Sequence, residues 1–185
     1  MRVYHGTIKG YWDLALQHDE LRPFHPEVIK QFINQATPLL LGYAEWLDNR
    51  LQEFNKSKGK VYLSDSKENA SRYAITYPEI VTSCIIRLNE RIQKGDFQKT
   101  QIKTIIQPLK QLHAYFQEND APLVVTLDIP KEYFVYTGTP TEIQLVKPVK
   151  ITGYSVSTES VKEKHLFFLY YDRLKGTLRQ KGYEF

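Results

Sequence analysis

Three segments far apart in the chain each set a polar side chain at the end or side of an apolar, β-prone run. They are VYHGT with His5, VYLSDSKENASRYA with Tyr62 and Tyr73, and TPTEIQLVKPVKI with Glu142. A histidine hydrogen-bonds and titrates near neutrality, a carboxylate offsets developing positive charge, and tyrosine rings stack on flat heterocycles. Each residue also has an ordinary account. A lone His beside an apolar strand is commonly a hydrogen-bonded core residue, Glu142 after Pro140-Thr141 reads equally as a solvated charge, and Tyr73 suits an amphipathic helix. Other chemistries find no motif. The five histidines (5, 18, 25, 113, 165) show no HxxxH spacing or cysteine partners, so no metal site is expected. Neither GxGxxG, GxxxxGK[ST] nor GxSxG occurs. The single Cys84 lies in the apolar run IVTSCIIRL, which excludes an internal disulfide and favours a structural thiol over a nucleophile.

The elements that must position these residues follow from periodicity and punctuation. RVYHGT (2–7) alternates and reads as a strand, and YWDLALQHDELRP (11–23) as a helix ended by Arg22-Pro23. Residues 25–54 carry two helical patterns, opened by Pro26 and by Pro38. KVYLSD (60–65) is a strand, and SKENASRYAITYP (66–78) a helix with Ser64 or Asp65 as its N-cap. EIVTSCIIRLN (79–89) reads as a buried central strand, and 91–118 as a long helical stretch weakened at Pro108. Strands are expected at 122–130, 132–138, 141–149 and 150–157, and a terminal helix over 158–182, although its LFFLYY run also suits a strand.

That order is α+β, a single domain over 1–185 with helical insertions at about 25–57 and 91–118. At 42% hydrophobic and 25% charged residues the chain has enough apolar material for a core. Thirteen tyrosines point to a padded core or a half-wet cleft. A net charge of +4 admits an anionic partner without requiring one, and no run of five like charges suggests a nucleic-acid tail. Lys56, Lys58 and Lys60 are placed to face a phosphate backbone or simply to solvate a loop. No signal peptide or bilayer-length apolar segment is seen, so a cytoplasmic protein without membrane contact is expected.

The order of the three motifs resembles the ADP-ribosyltransferase superfamily in its His-Tyr-Glu branch, which holds poly(ADP-ribose) polymerases and diphtheria-like toxins. The resemblance rests on His5-Gly6-Thr7 at the end of a first strand. It continues with Lys60-Val61-Tyr62-Leu63-Ser64 leading into Ala70-Ser71-Arg72-Tyr73-Ala74, and with Glu142-Ile143 opening a late strand. It covers about a fifth of the residues. It implies a split, mixed β-sheet flanked by helices, with NAD⁺ as substrate. Glu142, with His5 and Tyr62, would form the catalytic set. His5, Gly6, Thr7, Tyr62, Ser64 and Tyr73 would bind NAD⁺, the two tyrosines flanking the nicotinamide ring and His5 holding the adenosine ribose.

The resemblance also implies transfer of one ADP-ribose to a macromolecular acceptor, protein or nucleic acid, and a toxin or phage effector with an antitoxin or immunity partner. Two positions depart from the family's patterns. Ala70 stands where the polymerases have a serine for the nicotinamide amide, which leaves Gly6 backbone with Ser64 or Ser71 for that task. Pro140 stands where arginine-modifying relatives carry a second glutamate, which argues against that subclass. An RNA 2′-phosphotransferase would need an Arg-His pair where Tyr4-His5 stands. A non-catalytic partner-binding module on the same fold is the reading from another class.

Overall fold

The computed structural model describes residues 1–23, 25–55, 61–138, 142–158 and 165–185. In chain order the elements are β1 (Arg2–Ile8), α1 (Lys9–Gln17), β2 (Glu20–Leu21), α2 (Glu27–Leu40), α3 (Glu45–Asn55), β3 (Tyr62–Ser64), α4 (Lys67–Thr76), α5 (Glu79–Lys94) and α6 (Lys99–Asn119). They continue with β4 (Pro122–Asp128), β5 (Phe134–Tyr136), β6 (Glu142–Leu145), β7 (Val149–Lys150), β8 (Tyr154–Ser157) and α7 (Leu166–Gln180). The chain is thus α+β, divided into two compact units that it enters alternately.

The first unit, Met1–Pro26, Ser57–Tyr77 and Asn119–His165, holds a six-stranded sheet in the order β5-β6-β3-β1-β4-β8. Every registered pair is antiparallel, which corrects the mixed sheet expected. The chain between β1 and β3 is long enough to return in either sense, so its sequence does not fix the direction. β1 and β4 are in register along their whole length, from Arg2↔Asp128 to Ile8↔Pro122. Among the described residues β1 and β3 meet at one pair only, Tyr4↔Ser64, so the sheet is seamed there. One face carries Val3, Leu63, Val125, Leu127, Ile143 and Leu145, buried with Trp12 and Ala15 of α1. The short β2–β7 ribbon is hydrogen-bonded separately from this sheet, but its Leu21 and Val149 pack into the same core.

α4 lies against β1, β3 and β4, and Ala70 and Ala74 are buried. Ser66 caps it, its hydroxyl accepting the Asn69 N–H at 3.3 Å, so the cap is one to two residues later than expected. Glycine is required at position 6: a Cβ there would stand 1.9 Å from the Ala70 carbonyl oxygen and 2.9 Å from the Ala74 nitrogen.

The second unit, Glu27–Lys56, Pro78–Glu118 and Leu166–Phe185, is helical, with α5 packed on α7 and α2. Residues 79–89, expected as a central strand, belong to α5. Val81, Ile85, Leu88 and Ile92 are buried at helical spacing, and Gly95 closes the helix in the left-handed conformation at φ 82°. Pro38 sits inside α2 and does not open a second helix, which begins instead at Glu45. Phe116 and Phe167 stack at 4.1 Å between α6 and α7, and LFFLYY is helical. Cys84 is fully buried and its thiol is pushed up to about 12 by burial, as a structural cysteine should be. Among the described residues no helix is long and apolar enough to cross a membrane.

Candidate active site

The sheet lays the three motif strands side by side, as β6-β3-β1. Ser64 lies opposite Tyr4 on one side and Glu142 on the other, and Tyr62 lies opposite Gln144. Directly opposed residues of antiparallel strands project from the same face, so Tyr62, Ser64 and Glu142 share one face of the sheet. α4 delivers Tyr73 to that face. Its hydroxyl donates to Glu142 Oε2 at 3.2 Å, across 69 residues of sequence. The other carboxylate oxygen, Oε1, accepts the Thr137 hydroxyl at 2.7 Å. Among the described residues no lysine or arginine pairs with Glu142, so neutral hydroxyls hold its charge in place without cancelling it.

His5 and Thr7 alternate with Tyr4 along β1 and so project to the opposite, buried face. The His5 ring closes the β1–β3 seam. Its Nδ1 lies 3.0 Å from the Tyr62 carbonyl oxygen, the group that a continued ladder would set opposite Gly6. A carbonyl only accepts, so Nδ1 carries the proton and Nε2 presents a lone pair. Burial pushes the imidazole down to about 4, against the opposing effect of the Tyr62 hydrogen bond, so His5 is neutral near pH 7. That state suits acceptance of a hydroxyl proton at Nε2 and does not suit a cationic acid. The ring also meets Tyr77 edge-on at 6.1 Å, and Tyr77 meets Tyr11 at 4.8 Å. Thr7 Oγ1 is buried without a hydrogen-bond partner among the described residues.

The expected residues therefore fall into two groups. Tyr62, Ser64, Tyr73 and Glu142 assemble around one face, while His5 and Thr7 serve the seam and the buried face behind it. Gly6 is where α4 touches β1, a packing duty the sequence does not announce. Ser64 is buried, and its hydroxyl accepts the Ser66 N–H at 3.0 Å at the entry to α4. Ser71 is turned to its own helix, donating to the Lys67 carbonyl at 2.9 Å. Ala70 packs its backbone against Gly6. Pro140, Lys56, Lys58 and Lys60 lie outside the described residues.

Sequence reasoning missed Thr137. It stands just past β5, and its backbone N–H also donates to the Glu142 carbonyl at 3.3 Å. The signal was the hairpin: the pair Tyr136↔Ile143 sets Thr137 opposite Glu142. No protein-family model matches this chain, and no curated protein or solved structure does either.

Proposed function

We propose that the chain is an NAD⁺-dependent mono-ADP-ribosyltransferase of ADP-ribosyltransferase-like fold, acting at the face that holds Tyr62, Tyr73 and Glu142. The observation that supports this most is the bond between Tyr73 and Glu142. Two motifs that the sequence assigns to one reaction meet at a carboxylate with no ion-pair partner among the described residues, on the strand next to the one carrying Tyr62.

In that reaction the bond between ribose C1′ and the nicotinamide nitrogen breaks, and its electron pair leaves with nicotinamide. The ribose then carries positive charge, as a sugar does in glycoside cleavage. Glu142 stabilises that charge electrostatically, and its position is fixed before substrate arrives. Tyr62 and Tyr73 supply aromatic surfaces for the flat nicotinamide ring. His5, behind that face, acts indirectly: its Nδ1–H bond to the Tyr62 carbonyl holds the strand that carries Tyr62 against β1. The acceptor's lone pair then closes on C1′, and its proton passes to solvent. Transfer stops at one ADP-ribose, onto a protein or nucleic-acid acceptor.

One observation favours a second reading, a partner-binding module without catalysis. Gly6 and His5 both have complete structural duties, at the α4 contact and at the seam. A single experiment separates the two. The protein is mixed with NAD⁺ and free nicotinamide is measured, in parallel with Glu142→Gln. Transferase chemistry requires release by the parent and a loss of about 10²–10³-fold in the variant. No release, with no change of melting temperature on adding NAD⁺, selects the binding module.

A further inference from the structure

The Glu142 carboxylate is gripped unequally. Oε1 receives the Thr137 hydroxyl at 2.7 Å, and Oε2 receives the Tyr73 hydroxyl at 3.2 Å. The shorter bond comes from a residue that is itself fixed, because the Thr137 N–H donates to the Glu142 carbonyl at 3.3 Å in the same hairpin. The longer one comes from a ring on α4, outside that hairpin, and both donors are exposed. A carboxylate with one oxygen anchored to its own hairpin and the other bound loosely to a neighbouring helix has a built-in division of labour.

We propose that Thr137 is a positioning residue for Glu142, holding Oε1 so that Oε2 is the oxygen offered to the substrate. This role rests on the NAD⁺ chemistry proposed for the same carboxylate. In the free protein Tyr73 satisfies Oε2. When NAD⁺ binds, a ribose hydroxyl or the developing charge at C1′ takes over that oxygen, and the Thr137 bond keeps the carboxylate plane from turning with it. Thr137 touches no substrate, so its contribution lies in the reacting geometry and not in affinity. A threonine does this better than a longer side chain, because its β-branched rotamer is restricted and its backbone is already bonded to Glu142.

The test is steady-state nicotinamide release from NAD⁺ by the parent, Thr137→Val, Thr137→Ser and Glu142→Gln, with melting temperatures recorded with and without NAD⁺. Valine keeps the shape and removes the donor, whereas serine keeps the donor. The expected pattern is a kcat about 10- to 100-fold lower for Thr137→Val, the range a single charge-assisted hydrogen bond spans. KM should stay within about 3-fold and the NAD⁺-induced melting shift should be kept, as positioning without binding requires. Thr137→Ser should recover most of kcat. Thr137→Val as active as the parent, while Glu142→Gln is dead, overturns the role of Thr137 and leaves the NAD⁺ reading standing. The role of Thr137 is equally overturned if Thr137→Ser is as inactive as Thr137→Val, or if the loss appears in KM. No release by the parent overturns the NAD⁺ reading, and the role of Thr137 falls with it.

Discussion

Substituting Gly6 by alanine adds one methyl group to a contact with no room for it. The new Cβ would lie 1.9 Å from the Ala70 carbonyl oxygen, and Cβ atoms in real structures stay beyond 3.0 Å. The neighbours at 2.9 Å are the Ala70 carbonyl carbon and the Ala74 nitrogen, so the obstacle is helix backbone and no side-chain rotation relieves it. α4 must therefore retreat from β1 by more than 1 Å, loosening Ala70 and Ala74, which are 1% and 0% exposed. Overpacking of a core costs about 1–3 kcal/mol, and a rigid backbone neighbour puts this case at the upper end. For a chain of this size about 3 kcal/mol corresponds to a fall in Tm of roughly 6–12 °C. The assay is thermal melting of NAD⁺-free Gly6→Ala beside the parent, followed by circular dichroism. A variant melting within about 1–2 °C of the parent, well short of that fall, would refute the packing account. If that same variant also lost its response to NAD⁺, Gly6 would instead be a residue reserved for the ligand.

Two further outcomes concern the same unit. His5 titrates near 4 when folded against 6.5 for a free imidazole, so the unfolded chain binds the extra proton between those values. Its contribution is complete above about pH 6.5 and is lost as pH falls toward 4, worth about 3 kcal/mol, with buried His165 acting in the same direction. Urea titrations at about pH 7 and about pH 4.5, on either side of that loss, should show this slope, and His5→Gln should flatten it. Ser66→Ala removes the cap of α4 and should cost about 0.5–1 kcal/mol, read from the urea midpoint, with Ser66→Asp retaining it. Equal midpoints for parent and Ser66→Ala would show that the cap contributes nothing.

Strong local patterns are readable in the sequence. β1, β4 and α4 lie close to where alternation, turn residues and amphipathicity place them. The failure at 79–89 has a physical cause: EIVTSCII is β-branched and apolar enough for a buried strand, and only the continuation through Leu88 and Ile92 to Gly95 reveals the helical period. The stretch 141–149 reads as one strand because its apolar residues continue. In the structure β6 stops at Leu145 and Val149 pairs with β2 instead.

At the candidate site the sequence offers the identities of Tyr62, Tyr73 and Glu142, but not their meeting. The Tyr73–Glu142 bond depends on how α4 crosses the sheet, which no local periodicity encodes. Thr137 is invisible for a related reason: threonine in a turn is unremarkable until the hairpin register sets it beside the carboxylate. Gly6 draws notice beside His5 as a residue for a substrate, while the demand on it comes from Ala70 and Ala74 of a helix far along the chain.

The alternation of the chain between its two units has a consequence for biosynthesis. β1 leaves the ribosome well before its full-length partner β4, which begins at Pro122, and before the edge strand β8, which begins at Tyr154. Meanwhile α2, α3, α5 and α6 emerge, and their own unit lacks α7 until Gln180 has been added. The sheet unit therefore cannot complete the β1 pairing before β4 is made, and the helical unit cannot be completed before α7. Until β4 has emerged β1 lacks its long partner, and until α7 has emerged the helical unit lacks an apolar face, so both expose surface of the kind that makes nascent chains aggregation-prone.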